Sequence, residues 1–206
     1  MSHSKKKSVS LRPKLIYFDD YPDFTPNLTP EQIFRLGSFG GTYWRPIYSS
    51  IVNKELKNQH LKFPKKWWLG IPKENLTKDF DDYDKSLNKY KVKVGTTLEF
   101  WEDKGWITKQ DPYGWVMWYC NFYLGRRTSD DERQINRWKG VASKNSGRFR
   151  KNLVTQILNK SRQKNVTPQY NDETISPKIR QTLQHWGYQL TKKDFNYEMK
   201  IRQKNK

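Results

Sequence analysis

The chain has 206 residues, with 40 Lys and Arg against 21 Asp and Glu, which gives a formal net charge of +19. That length suits one domain, or one domain with tails. Apolar residues make up only 34% of the chain, so we expect a core of aromatic rings, each burying about 150–250 Å². The single cysteine, Cys120, excludes an intramolecular disulfide and a zinc site of the usual Cys/His spacing. No window of the sequence is apolar enough to predict a membrane span.

Residues 1–28 are predicted to form a flexible arm with basic residues and aromatic anchors. Prolines disfavour regular structure there, and the rings include Phe18 and Phe24. The segment is positively charged but has no apolar run of the signal-peptide type, which indicates an intracellular protein, nuclear or cytoplasmic. Such an arm is suited to contacting a protein partner by lying along its groove.

A single globular domain is predicted over residues 29–190, and it begins with mixed structure. Residues 29–32 have the threonine, proline and glutamine of a capping box, which predicts a short helix ending at Gly37. The glycine-rich stretch 37–41 lacks the spacing of a Walker loop or a dinucleotide-binding fingerprint. It is therefore interpreted as a tight turn that lets the aromatic strand after it, residues 42–48, pass close to another backbone.

Three further elements follow in the middle of the chain. The alternation in residues 88–94 predicts a strand, and Thr97 caps a helix that stops near Gly105. Residues 115–124 form a dense apolar run. Its length allows a buried helix and its aromatic residues allow a strand, and the helix is favoured. Cys120 lies in this run, so it is expected to be a buried apolar side chain.

The second half of the domain is predicted to be helical. Ser129 and Glu132 fit a capping box that begins a helix running to about residue 139. Apolar residues at helical spacing predict the next helix over 148–163, and Pro177 starts a last clear helix that Gly187 stops. Residues 191–206 form a basic tail. The predicted fold class is therefore an α-rich α+β single domain, with a mixed N-terminal half and a helical C-terminal half.

Basic residues concentrate in the second half of the chain. Residues 1–125 carry a net charge of +6, whereas residues 126–206 carry +13. Because neutralised phosphates dominate the affinity for nucleic acid, this pattern predicts binding to DNA or RNA, mainly through phosphate contacts. The residues expected to make these contacts are Arg126, Arg127, Arg148, Arg150 and Lys151, with Arg45 and Trp44 as a second patch.

Helical spacing within residues 126–164 is compatible with a helix-turn-helix arrangement. Arg148 and Arg150 come near a helix N-terminus, where backbone amides also favour phosphate. A solvated basic face with no dedicated ligand fits the same helix equally well.

Two other classes of function remain open. A metal-dependent enzyme on nucleic acid would use carboxylates from Asp111, Asp130, Asp131 and Glu132. The same acids suit the first turn of a helix or ion pairs with the neighbouring arginines, so no catalytic residue, metal ligand or cofactor is assigned. The other class is a basic structural or assembly protein, for instance of a virion.

Two blocks resemble one protein family. Residues 40–49, GGTYWRPIYS, and residues 111–138, with the string DPYGW–WYC–FY–GRR–DDERQ–RW, are similar to proteins of large DNA viruses and of algae, fungi and other eukaryotes. The similarity covers about residues 37–190. No activity is known for this family, so the resemblance carries over no site residue. It implies a viral or nuclear-cytoplasmic setting.

Overall fold

The computed structural model describes residues 16–204, which form eight α-helices and one two-stranded sheet. The helices are α1 (Pro30–Arg35), α2 (Glu74–Thr77), α3 (Leu98–Asp103), α4 (Trp115–Tyr123), α5 (Asp131–Ala142), α6 (Arg148–Lys164), α7 (Pro177–His185) and α8 (Lys192–Lys204). The strands are β1 (Ile47–Ser49) and β2 (Lys54–Leu56). This confirms an α-rich α+β domain whose N-terminal half is mixed and whose C-terminal half is helical.

The N-terminal half begins with the predicted capping box. The Thr29 hydroxyl accepts from the Gln32 amide at 3.1 Å, and the Gln32 side chain accepts from the Thr29 amide at 2.8 Å. The glycine turn after α1 itself lies against another backbone, whereas the close approach was predicted for the aromatic strand that follows the turn. A Cβ at Gly37 would lie 2.1 Å from the carbonyl oxygen of Leu87, so only glycine fits there.

The predicted strand over 88–94 is wrong, because these residues form an irregular loop. The side chain of Asn88 organises this loop. Its Nδ2 donates to the carbonyl of Val92 at 2.7 Å, and its Oδ1 accepts from the amide of Gly40 at 2.8 Å. The loop therefore bonds to the glycine turn instead of pairing in a ladder. The strands that do form are antiparallel, with Ile47 opposite Leu56.

The core is built around α4, which confirms the prediction of a helix for the apolar run. Trp118, Tyr119 and Phe122 are fully buried. The ring of Phe24 contacts Trp118 at 5.6 Å and Trp138 at 5.1 Å between centroids. Helix α4 is thus covered on every side, which explains why its sequence shows no polar face. Cys120 lies inside it and is buried, as expected.

Residues 16–28 pack onto this core. Phe18 is buried, and the Tyr119 hydroxyl donates to the carbonyl of Leu28 at 2.9 Å. For this part of the predicted arm the structure therefore differs from the expectation of a free segment, because its rings supply core area that the helices lack. Residues 1–15, with the rest of the predicted arm, lie outside the described residues.

Helix α5 does not begin with the predicted capping box at Ser129. It begins at Asp131, whose carboxylate is buried. That carboxylate accepts from the Thr128 amide and from the Trp118 indole N–H, each at 2.8 Å. A local bond from Thr128 and a tertiary bond from the core thus hold Asp131, in place of the predicted cap at Ser129.

The remaining helices follow the predictions more closely. Helix α6 begins at Arg148 as expected, and α7 runs from Pro177 to His185. The basic tail forms α8, which packs on α6 and buries Phe195. None of the helices within residues 16–204 is long and apolar enough to cross a bilayer.

Candidate nucleic-acid interface

Arg126 is bound to a buried carboxylate. Its Nη1 donates to Oδ1 of Asp111 at 2.9 Å, and its Nη2 contacts the other carboxylate oxygen. The Asp111 side chain is only 1% exposed, and Asn121 donates to it at 3.0 Å. A phosphate could engage Arg126 fully only by leaving this carboxylate unpaired, which is costly for a buried charge.

Arg127 joins the N-terminal segment to the end of α4. Its guanidinium donates to both carboxylate oxygens of Asp20, at 2.5 and 3.2 Å, and to the carbonyl of Phe122 at 2.9 Å. The same guanidinium lies 3.8 Å from the centroid of the Phe122 ring. Hydrogen bonding to Arg127 lowers the pKa of Asp20. These contacts give Arg127 a structural role, because they hold the N-terminal segment against the end of α4.

Arg150 and Trp44 lie inside the protein. The Arg150 side chain is 4% exposed, and its Nη2 lies 3.1 Å from Oδ1 of Asp194 on α8. Its guanidinium also lies 5.4 Å from the ring of Tyr188. Trp44 is fully buried and packs against Phe34 and its neighbours. Neither side chain is available to a ligand at the surface.

The carboxylates considered for an enzyme also have structural partners. Asp130 accepts from the guanidinium of Arg133 and, at 3.0 Å, from the side chain of Gln134. Asp111 is bound to Arg126, and Asp131 is bound to the Trp118 indole. Glu132 is exposed on α5. Within residues 16–204 no three His, Cys, Asp or Glu side chains come together as a metal site would require.

The exposed side of α6 keeps two of the predicted residues at the surface. No acidic residue occurs in the sequence between Glu132 and Asp172, so α6 contains none. Its exposed side chains are all basic or amide. We call this set the outer face of α6; it comprises Arg148, Lys151, Asn152, Gln156, Asn159, Lys160, Arg162, Gln163 and Lys164.

The four amides of this outer face follow one line along the helix. They are three or four residues apart, which places them on the same side of α6. The Oδ1 of Asn152 accepts from Nε2 of Gln156 at 3.3 Å. Lys151 and Arg162 border the line on one side and Lys160 on the other, by helical geometry.

A cleft of about 650 Å³ opens beside the start of α6, between residues 94–107 and helices α4, α5, α6 and α7, and Phe39 and Tyr43 also line it. Among residues 16–204, its lining contains two basic side chains, Arg137 and Arg148, and no acidic one. We call it the aromatic cleft, after its rings. These are Phe39, Tyr43, Phe100, Trp101, Trp106, Tyr113, Trp115, Phe149 and Trp186.

Packing fixes the inner rings of the aromatic cleft. Trp115 and Trp186 lie 4.7 Å apart between centroids. Phe39 stacks on His185 at 3.8 Å, and its amide donates to Nε2 of His185 at 3.1 Å. The walls are therefore set by the core and do not depend on a ligand.

Arg137 has an unusual position in this cleft. Its Nη1 donates to the carbonyl of Trp106 at 3.1 Å and to Oε1 of Gln134 at 3.0 Å. The guanidinium lies 5.2 Å from the Trp106 ring and 5.4 Å from the Trp186 ring. Among residues 16–204 it forms no ion pair within 4.0 Å. Burial lowers the pKa of Arg137 to about 10, so it stays protonated at neutral pH.

A small cavity of about 50 Å³ adjoins the cleft and shares Tyr43 and Trp101 with it. Two basic side chains line this cavity, Arg45 and Lys93. They lie 5.2 and 5.6 Å from the ring of Phe80. Of the predicted second patch, Arg45 is thus near the cleft, whereas Trp44 is part of the core.

The structure does not bring the seven predicted residues together. Arg148 and Lys151 share the outer face of α6, and only Arg148 also lines the aromatic cleft. Sequence reasoning did not assign Arg137 or Trp106 to the site. For Trp106 a signal existed, since it lies in a short polar stretch outside any amphipathic pattern. For Arg137 none existed, because its position depends on the packing of residues 94–107 against α5.

Comparison of the chain with protein-family models, with curated proteins and with solved structures found no significant match.

Proposed function

We propose that this protein binds nucleic acid, mainly through phosphate contacts made by the outer face of α6. One observation carries the proposal: a 17-residue helix exposes only basic and amide side chains over its whole length. A polyanion approaching this face would meet no acidic side chain of α6 itself. The net charge of +19 adds a long-range attraction for the same class of ligand.

The amides of the outer face suit a contact with bases as well as phosphates. Asn and Gln form paired hydrogen bonds with adenine in the major groove of a duplex, and a helix fits that groove. In α6 the line of amides has lysine or arginine on both sides, where the phosphates of the two strands would pass. The function therefore includes duplex binding, with α6 as the element that enters the groove.

The test neutralises three cations of α6 that take no part in the aromatic cleft: Lys160→Gln, Arg162→Gln and Lys164→Gln combined. A matched control, Lys54→Gln, Lys57→Gln and Lys62→Gln, removes three exposed charges elsewhere. Binding to a labelled duplex is measured by fluorescence anisotropy over a range of salt concentrations. Each phosphate contact contributes about −0.9 to the slope of log K against log salt.

We expect the α6 variant to bind more weakly and to have a slope smaller by about 2–3, because it has lost two or three phosphate contacts. The control should keep a slope close to that of the unchanged protein. Equal effects of the two variants would mean that net charge alone governs binding, and would refute a dedicated face. Circular dichroism checks that both variants are folded.

We also propose that the protein acts inside the cell, in the nucleus or the cytoplasm, or as part of a virion. This setting is supported by the resemblance of residues 37–190 to proteins of large DNA viruses and eukaryotes, and membership of that family is itself part of the proposal.

A further inference from the structure

We infer that the aromatic cleft binds an unpaired base of a nucleic-acid strand, together with the phosphate attached to that nucleotide. The inference rests on the proposed function and extends it, because it assigns single-stranded or unpaired nucleotides to a second surface beside α6.

The shape and lining of the cleft match a flat aromatic ligand. Its volume of about 650 Å³ lies within the range of about 300–1,000 Å³ that is usual for small-ligand sites. Within the described part of the chain, nine lining residues are Phe, Tyr or Trp, and the only charged side chains are Arg137 and Arg148. A nucleotide offers a ring for the aromatic walls and an anion for the arginines, whereas a purely apolar ligand would leave the arginines unused.

Two rings at the rim remain exposed to solvent. Phe100 is 40% exposed and Trp106 is 39% exposed, and they meet edge to face at 5.7 Å. The other rings of the cleft are buried or half-buried. Exposed rings beside a basic groove form the stacking platform that proteins use for single-stranded nucleic acid.

Arg137 supplies the charge that a bound phosphate requires. Two of its hydrogen bonds go to neutral oxygens, which hold the guanidinium without neutralising it. A half-buried cation that has lost part of its hydration, and that has no carboxylate of residues 16–204 within 4.0 Å, favours an anionic ligand. The contact with Trp106 also links this cation to the rim ring, so the base and its phosphate would be bound by neighbouring groups.

Arg148 connects the cleft with the outer face of α6. It lines the cleft and is also the first residue of α6. A strand whose phosphates follow α6 therefore reaches the mouth of the cleft at this residue. One base leaving the strand at that point would enter between the rings, as bases do in single-strand sites.

The test compares a labelled single strand of about 12 nucleotides with the duplex of the same sequence, as DNA and as RNA. The variants are Trp106→Ala and Arg137→Met. Trp106→Phe keeps a stacking ring, and Tyr17→Ala removes an exposed ring that lies outside the cleft. We expect Trp106→Ala and Arg137→Met each to weaken single-strand binding about tenfold, while duplex affinity changes by less than about twofold.

Trp106→Phe should retain most of the single-strand affinity that Trp106→Ala loses. Tyr17→Ala should have no effect on this affinity. Equal losses for single strand and duplex, or no loss in Trp106→Ala, would overturn the inference. Calorimetric titration with adenosine monophosphate, adenosine and inorganic phosphate tests the cleft alone. The nucleotide should bind more tightly than either part, and this preference should disappear in Arg137→Met.

The two proposals can fail separately. If duplex binding depends on the α6 cations but Trp106→Ala changes nothing, the cleft inference is wrong and the proposed function stands. If adenosine monophosphate binds in a Trp106-dependent way while the α6 variant binds duplex normally, the role of the outer face is wrong and the cleft inference stands.

Discussion

The imidazole of His185 is buried against the ring of Phe39 and borders the aromatic cleft. Its Nε2 accepts from the Phe39 amide at 3.1 Å, which requires the neutral ring. Burial lowers the pKa of His185 from 6.5 to about 3. The folded protein therefore excludes a proton that the unfolded chain binds at any pH between these two values.

This state of His185 predicts how stability depends on pH. Because the pKa is lower in the folded state, the stabilisation is complete above pH 6.5 and is lost as the pH falls towards 3. Between these values the free energy of unfolding should fall by about 1.4 kcal/mol per pH unit for this residue. His60, whose pKa burial also lowers, acts in the same direction.

Urea denaturation of the unchanged protein and of His185→Gln at several pH values between 4.5 and 6.5 isolates this contribution. Glutamine retains an acceptor for the Phe39 amide but does not titrate. The unfolding free energy of this variant should therefore fall less steeply as the pH decreases. Parallel curves for the two proteins would show that His185 is not the residue responsible.

Single arginines in this protein differ sharply in role although their sequence neighbourhoods look alike. Arg126 and Arg127 are adjacent, yet their carboxylate partners, Asp111 and Asp20, are 15 and 107 residues away. Arg148 and Arg150 are two positions apart on one helix, which points them to different sides. Arg148 is exposed, whereas Arg150 is paired with Asp194 inside the protein.

At the scale of elements, helix starts with a local signal were predicted well. The capping box at Thr29, the cap at Thr97 and the proline at the start of α7 all lie where the sequence placed them. These signals work because a cap bonds within one turn of its own residue. The predicted cap at Ser129 was wrong because Asp131 is drawn to the core by the Trp118 indole, a partner outside the turn.

The contact between the glycine turn and the loop near Leu87 gives a prediction about Gly37. With φ near +92°, an alanine at 37 costs about 1–2 kcal/mol from the backbone alone. Its Cβ would also overlap the Leu87 carbonyl, which adds about 1–3 kcal/mol. Gly95→Ala is a matched control, since its φ is +97° but nothing lies within 4 Å of the added Cβ.

Chemical denaturation should therefore show both variants destabilised, with Gly37→Ala clearly lower in unfolding free energy than Gly95→Ala. If the two variants lost the same amount, the close approach of the two backbones would not be a determinant of stability.

At the scale of the whole molecule, the net charge of +19 acts on stability as well as on binding. Compact folding brings like charges together, and salt screens their repulsion over a Debye length of about 10 Å at 0.1 M. We expect the thermal midpoint to rise by a few degrees between low and moderate sodium chloride, since about 1 kcal/mol corresponds to about 2–4 °C at this chain length. Differential scanning calorimetry measures this. A midpoint that falls with salt would mean that ion pairs outweigh the repulsion.

The candidate site was predicted only in part. The basic character of α6 and its exposed side followed from helical spacing, which is why Arg148 and Lys151 could be named correctly as surface residues. The aromatic cleft could not be found in this way. Its walls come from residues 94–107, from helices α4, α5, α6 and α7 and from Phe39 and Tyr43. No local pattern shows which rings stay exposed where these elements meet.

Composition and contacts within a few residues are enough to predict the helical C-terminal half, the aromatic character of the core and the strongly basic charge. Which arginines are free depends on the tertiary structure, since an ion pair such as Arg127 with Asp20 forms only when distant segments meet. The tertiary structure also places two exposed rings at one cleft with Arg137, which forms no ion pair with another residue of 16–204. The sequence around an arginine does not show whether a carboxylate will lie beside its guanidinium after folding. The presence or absence of that carboxylate sets the role of the residue.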